Sequence, residues 1–351
     1  MNKILVTGGA GYIGSHVCLS LLERGHEIVI IDSFLNSSEK VFERIHEISR
    51  HINIDIKGRI KIYKGDLRQK SLIQKAFIDA KLSGKRIDSV IHLAGLKSMS
   101  DSIINPYSYW DSNVRSTFNL IEVMNSFSCN VLVFSSSAMV YKPLNQDFIN
   151  EKDEIKPPNP YSNTKLTIEK FLEDIYLEPK NNWSIAILRY FNPIGAHSTG
   201  LIGENPVFQT NNLFPIICNV AYKQIDRLKI YGDDWPTHDG TGVRDYIHIT
   251  DLAESHLTAM KFLFNNKSQF ICFNIGTGKA TSVLDLVKTF QKVNKVNIPY
   301  EIHPKRKGDV ARLVANNKFA KKILNWTPKK NIEKMCEDGW KWKKLNPNGF
   351  I

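Results

Sequence analysis

The chain has 351 residues, 42% hydrophobic and 23% charged, with a formal net charge of +12; this is the balance of a globular protein, and no run is long and apolar enough for a transmembrane helix. The five cysteines, at 18, 129, 218, 272 and 336, are odd in number and free of Cys-x-x-Cys spacing, which argues against a disulfide framework or zinc site and for a reducing cytoplasm. The excess lysines are spread along the chain, so they read as solvated surface rather than a nucleic-acid patch, and the first residues lack the basic-then-apolar order of a signal peptide.

Lys3–Thr7 is a short apolar run that reads as a buried strand, and Ile13, Val17 and Leu21, recurring every four residues, read as the helix after it. Between them lie Gly8, Gly11 and Gly14, while Gly25 ends the helix. Glu27–Ile31 is a second β-branched run with Asp32 at its end, 18 residues after Gly14. Strand, glycine turn, helix, strand, acid is an order that binds a dinucleotide. The glycines admit a pyrophosphate to the backbone, and the helix N-terminus offers it free N–H groups. An acid at the end of the second strand takes both hydroxyls of an adenosine ribose, which favours NAD over NADP.

Further strands are expected at 60–63, 88–93, 130–135 and 184–189, with helices near 37–50, 69–81, 113–127 and 161–177. This alternation implies a Rossmann-type, doubly wound parallel sheet with helices on both faces. Ligands bind at the carboxyl ends of such strands, which marks Gly8 onward, Asp32, Asp66, Ala94–Lys97, Ser135–Ser137 and Tyr190–Asn192. After residue 192, Gly, Pro, Asn and Asp punctuate shorter elements. The expected division is a dinucleotide-binding domain over 1–192 and a smaller α/β substrate region over 193–351. The amphipathic helix Thr250–Phe264, in a segment near 243–260, packs back on the first domain.

Tyr161 and Lys165 stand four apart at the start of the 161–177 helix, on one helical face. A nearby ammonium lowers a phenol's pKa, and a Tyr so tuned serves as a general base on a hydroxyl. Alone, the spacing more often marks a packed Tyr with a snorkelling Lys. Behind a dinucleotide turn the chemical reading is favoured. The preceding strand ends Ser135-Ser-Ser137, which places hydroxyls at the sheet edge; serine also suits a plain strand-ending turn.

Taken together, GGAGYIG, the ribose acid, SerSerSerAla, Tyr-x-x-x-Lys and ArgTyrPheAsn resemble an extended short-chain dehydrogenase/reductase. His92–Lys97, Arg189–Ala196, Asn211–Leu213, Gly240–His248 and Lys305–Asp309 narrow the resemblance to the UDP-hexose 4-epimerases of that family, over essentially the whole chain. The resemblance implies Tyr161 as catalytic base, Lys165 as the lysine on the nicotinamide ribose, and Ser137 on the sugar's 4-oxygen. It implies NAD contacts from Gly8, Gly11, Tyr12, Ile13, Gly14, Asp32, Asn36, Ser37, Asp66, Leu67, Lys97, Asn113, Tyr161, Lys165 and Tyr190. It puts Ser137, Tyr161, Asn192, Asn212, Leu213, Tyr231, Arg244, Arg306, Asp309 and Leu313 around a UDP-sugar. Arg244 and Arg306 are forked, permanent cations suited to a pyrophosphate.

The implied reaction is reversible inversion at C4 of UDP-glucose and UDP-galactose through a 4-keto sugar, in a cytoplasmic homodimer paired through helices 102–126 and 161–177. Three residues depart from the family pattern. Met139 replaces a small hydroxyl residue, Lys142 replaces a glycine, and Leu313 falls between the bulky Tyr and small Cys or Ser of relatives. Leu313 leaves UDP-GlcNAc and UDP-GalNAc open as alternative substrates. A 4,6-dehydratase needs an acid where Ala138-Met139 stands, and a non-catalytic NAD-binding regulator needs no Tyr161 and Lys165 together.

Overall fold

The computed structural model describes residues 1–142, 146–179, 182–206, 212–306 and 309–350. Strand and helix alternate first as β1 (Lys3–Thr7), α1 (Tyr12–Glu23), β2 (Glu27–Asp32), α2 (Lys40–His51), β3 (Ile60–Lys64), α3 (Lys70–Leu82) and β4 (Ser89–His92). Two short helices come next, α4 (Met99–Ile104) and α5 (Pro106–Tyr109), then a π-helical turn over Trp110–Arg115, α6 (Ser116–Ser126), β5 (Val131–Ser137), α7 (Pro160–Leu177) and β6 (Ser184–Tyr190). Beyond them come β7 (Asn192–Ile194), α8 (Leu213–Ala221), β8 (Leu228–Tyr231), β9 (Val243–Arg244), β10 (Tyr246–His248), α9 (Ile249–Asn265) and β11 (Gln269–Ile275). The chain ends in β12 (Thr281–Ser282), α10 (Val283–Asn294), β13 (Tyr300–His303), β14 (Arg312–Leu313), α11 (Lys318–Leu324) and α12 (Ile332–Leu345).

Seven strands form one parallel sheet in the order β11-β6-β5-β4-β1-β2-β3. Successive side chains of a strand leave opposite faces, and the core obeys that period. Ile4, Val6, Ile28 and Ile30 join the core on the face of α1, α2 and α9, while Leu5, Val29 and Ile31 join the opposite core with α3 and α6. Helices on both faces explain why β1 is buried at all five positions. Strand order reverses at β1, whose neighbours are β2 and β4. The carboxyl ends there open the crevice where such sheets bind ligands.

Two expectations are corrected. The six expected strands omit β11, which pairs along all of β6; its run QFICFNI comes so soon after a helix that its apolar content reads as a continuation. The single helix over 102–126 is broken. Pro106 starts a new helix, as its ring requires, and the π turn shifts the register of α6. The same turn carries Asn113 into the interior, where it is 2% exposed. The amphipathic stretch near 250–264 is α9, packed against α1. A third core, among α8, α10 and α12, holds the smaller region together. A fourth gathers Ala138, Phe191 and Leu313 from distant parts of the chain.

Several histidines are buried and neutral. Burial above all pushes His16 and His92 down to about 3, and His197 and His256 to about 4. Each titrates near 6.5 when unfolded, so between about 3 and 6.5 the unfolded chain binds more protons and stability falls as pH drops through that window. The thermal midpoint should therefore decline steadily below about pH 6.5 in scanning fluorimetry; a midpoint unchanged down to about pH 4 would contradict neutral burial of these rings.

Candidate active site

The turn after β1 is closed by its glycines. Gly8 has φ +70°, and a Cβ there would lie 2.9 Å from the Ala94 nitrogen. A Cβ at Gly14 would lie 2.1 Å from the Gly8 carbonyl oxygen, so only glycine lets α1 start this close to the turn. Gly11 occupies the N-cap of α1, and no side chain caps that end. The helix thus points uncapped backbone N–H groups into the crevice. Thr7 ties β1 to the β4 loop: its Oγ1 lies 2.7 Å from His92 Nδ1 and accepts from the Leu93 and Ala94 amides. Ile13 packs on the core, while the Tyr12 hydroxyl reaches across to donate to the Gly195 carbonyl at 2.7 Å.

Asp32 ends β2 beside this turn. Its Oδ2 accepts from the Ala10 amide at 2.9 Å, and its Oδ1 from Phe34 N–H and Ser37 Oγ. Asn36 stands exposed in the same loop. Asp66 comes after β3 and is gripped by Arg68, which holds its carboxyl below the usual range. The Leu67 side chain turns into the core at 4% exposure, so only its backbone faces the crevice. Asn113 accepts from the Leu96 amide at 2.8 Å and donates to the Leu96 carbonyl and Thr164 Oγ1. It fastens the loop carrying Lys97 to the helix carrying Tyr161.

At the end of β5 the three serines divide their tasks by strand period. Ser135 Oγ meets His256 Nε2 at 2.8 Å, while its carbonyl accepts from Lys165 Nζ at 2.8 Å. Ser136, on the other face, donates to Glu169. Ser137 Oγ lies close enough to the Tyr161 hydroxyl to favour its ionisation and accepts from the Met139 amide. Tyr190 pairs with Ser137 in the sheet register and lies near enough to Tyr161 to feel its charge. Tyr161, Lys165, Ser137 and Tyr190 thus come together.

The expected lowering of the Tyr161 pKa by Lys165 is not realised here. Burial pushes the Tyr161 phenol up to about 12, opposed by the nearby Ser137, and burial pushes the Lys165 ammonium down to about 8. The reason is geometric: Lys165 spends its charge on the Ser135 carbonyl and on the face of Phe134, 4.9 Å from the ring centroid.

The remaining substrate candidates lie beyond β6. Arg306 lies 4.6 Å over the Tyr231 ring and donates to Asp309 at 3.0 Å. Arg244 donates to the Val243 and Val310 carbonyls, and burial holds its guanidinium below the usual range. Leu313 pairs with Arg244 in register and packs with Ala138, next to Ser137. Asn192 donates to the Asp245 carbonyl from backbone and side chain, while Asn212 precedes α8, which begins at Leu213. Asn211, Lys307 and Gly308 of the family-like runs lie outside the described residues.

Three residues escape a reading of the sequence. Glu204 takes both Lys97 at 3.3 Å and Asn212 at 3.2 Å, linking the two sides of the crevice, and nothing in its local sequence marks it. Asp245, in the run 240–248, accepts from Thr277, Gly278 and Ala315 and pins β9 to two loops. Glu169 lies one helical turn beyond Lys165, a spacing that signals a shared face.

The family model described as GDP-mannose 4,6 dehydratase matches residues 5–339. The UDP-glucose 4-epimerase of Bacillus subtilis (strain 168) is 42% identical over 348 residues, spanning 99% of this chain and 98% of its own. A UDP-glucose 4-epimerase structure from Stenotrophomonas maltophila, with bound NAD and formylated UDP-arabinopyranose, matches at 39% identity and TM-score 0.92 over 99% of both chains. That of Bifidobacterium longum, in complex with NAD+ and UDP, matches at 38% identity and TM-score 0.90, over 99% of this chain and 100% of that one. The chain belongs to the extended short-chain dehydrogenase/reductase family. Within it, the full-length similarity is to UDP-glucose 4-epimerases.

Proposed function

We infer that this protein is an NAD-dependent isomerase that interconverts UDP-glucose and UDP-galactose by inversion at C4. The observation that carries the reading is the junction at the end of β5, where Ser137 and Tyr161 come together beside Lys165. The full-length similarity to UDP-glucose 4-epimerases gives that junction its substrate. The residues present fit NAD. The glycine turn excludes any Cβ at Gly8 and Gly14, α1 starts uncapped, and Asp32 closes β2. We assign residues 1–192 to the dinucleotide and 193–351 to the UDP-sugar.

NAD held by the glycine turn and Asp32 would supply the hydride acceptor and donor for the sugar's C4. The chain supplies the rest. Tyr161 exchanges the proton of the sugar's 4-hydroxyl, Ser137 bonds the same oxygen, and Lys165, held on the Ser135 carbonyl, is placed to hold the nicotinamide ribose. Arg244, Arg306 and Asp309 hold the nucleotide. Ala138 and Met139 form a short 3-10 turn after Ser137, and neither carries the acid that a 4,6-dehydration needs. The five cysteines are free and four are buried, which suits a reducing cytoplasm. Among the described residues no helix is long and apolar enough to cross a membrane.

A homodimer is supported by the surface of α4, α5 and α7, which pack on one another. Ile103, Ile104, Tyr107 and Leu177 stand 64–82% exposed there, an apolar face that a second copy would cover. The Ile104→Glu, Tyr107→Glu double variant should sediment as monomer where the wild type is dimeric; a monomeric wild type at micromolar concentration would refute the pairing.

For the chemistry, Tyr161→Phe should lower turnover of UDP-galactose by roughly 10²–10⁴-fold with UDP affinity nearly unchanged. A Tyr161→Phe enzyme with wild-type turnover would remove the proposed base. For selectivity, the wall of Leu313, Ala138 and Met139 predicts some activity on UDP-GlcNAc and UDP-GalNAc. Crowding by a few heavy atoms costs about 1–3 kcal/mol, so a preference of roughly 10–100-fold for the plain sugars is expected. Leu313→Tyr should suppress the N-acetyl activity selectively. If the ratio of the two activities does not change, Leu313 is not the gate.

A further inference from the structure

Beneath the reacting groups lies a buried ion pair with no place in the proton transfer. Glu169 and Arg189 meet at 2.5 Å with side chains 6% and 7% exposed. Arg189 adds Nε bonds to both carboxylate oxygens, at 3.1 and 3.2 Å, and Ser136 donates to one of them. The other arm of Arg189 donates to the Tyr141 hydroxyl at 3.0 Å and the Glu151 carbonyl at 3.2 Å, with the guanidinium over the Tyr141 ring. Tyr141 in turn donates to Asn274 at 2.7 Å. One pair therefore joins β5, α7, β6, the turn after β5 and β11.

Burying two charges is expensive, and a buried pair is weak evidence of a stability role. Apolar side chains of similar volume would fill the space at lower cost. What the pair does supply is a fixed direction. Ser136 stands between Ser135, whose carbonyl takes Lys165, and Ser137, which lies beside Tyr161. Glu169 is two turns beyond Tyr161 and one beyond Lys165 on the same helix. A bond from Ser136 to Glu169 is therefore a strut between the strand that carries one partner of each contact and the helix that carries the other.

We propose that Glu169, clamped by Arg189 and Ser136, is a positioning residue that holds α7 in register with the end of β5, and so holds Tyr161 against Ser137 and Lys165 against Ser135. The proposal rests on the epimerase reading and deepens it. Its acid group touches no reacting atom. Its negative charge also opposes the effect of burial on Lys165. The other groups facing that ammonium are His92 on β4, which burial keeps neutral at neutral pH, and the Ser135 carbonyl on β5. Arg189 on β6 is held to the carboxylate.

The test is Glu169→Gln in the NAD-loaded protein, a change that keeps shape and removes charge. The expected result is a fall in kcat of roughly 10–100-fold, the scale of a misplacement near 1 Å, with KM, bound NAD and calorimetric UDP affinity within about threefold. The alkaline limb of the pH–rate profile should move to lower pH as Lys165 loses its neighbour. Amide exchange in the unliganded protein should rise across 131–140. Unchanged kcat and pH profile with only a lower melting temperature would make the pair a plain structural element and overturn the proposal. Should Glu169→Gln fail to fold, Ser136→Ala and Ser136→Thr decide: slow turnover in the alanine variant, restored by threonine, supports it, and wild-type turnover in the alanine variant overturns it. An inactive wild type would defeat the epimerase reading itself, and exchange at 131–140 would still report the strut.

Discussion

The turn after β1 closes so tightly that a Cβ at Gly14 would touch the Gly8 carbonyl oxygen. Much else depends on that approach. It fixes where α1 begins, and α1 fixes α9, which packs along it. Helix α9 brings His256 to Ser135, with its other ring nitrogen held by the Leu252 carbonyl at 2.8 Å. One steric constraint at the dinucleotide end thereby reaches the strand end where Tyr161 sits. Side chains at Gly8 or Gly14 would move the scaffold as well as block a ligand.

The site also shows why a run of three serines is more than a polar strand end. A strand presents alternate side chains to opposite faces. Ser135 and Ser137 look toward α9 and Tyr161, while Ser136 looks toward Glu169. A hydroxyl is small enough to lie flat in a buried sheet and can donate and accept at once. Each serine satisfies a different buried group, and none is left without a partner.

Much of this is legible in the sequence because its signals are local. The Gly8, Gly11, Gly14 spacing, Asp32 after a β-branched run, and Tyr161 four before Lys165 each express one element and one contact. Strand β11 is not legible, since a short apolar run behind α9 has no punctuation that separates strand from helix. The π turn is hidden for a similar reason: it leaves the apolar period nearly intact while moving Asn113 inward. Glu204 and Asp245 escape notice because their partners lie on distant segments, and a carboxylate carries no mark of what it will hold. The direction of the Tyr161 shift is misjudged from spacing because burial, a property of the whole fold, outweighs a neighbour four residues away.

The position of β11 has a consequence for how the chain is made. The face formed by Ile4, Val6, Ile28 and Ile30 is covered first by α1 and α2 and completed by residues of α9, β11 and α11, all from the last third of the chain. During synthesis that face emerges early and stays only partly covered until its last elements have left the ribosome. Pairing β6 with β11 also closes a long loop, which slows folding relative to local contacts. The nascent chain thus passes through a stage with an exposed, β-branched sheet edge, the kind of surface that chaperones bind and that aggregates when left alone. A chain stopped after β6 keeps every glycine of the dinucleotide turn and still lacks the helix that holds the sheet's inner face dry.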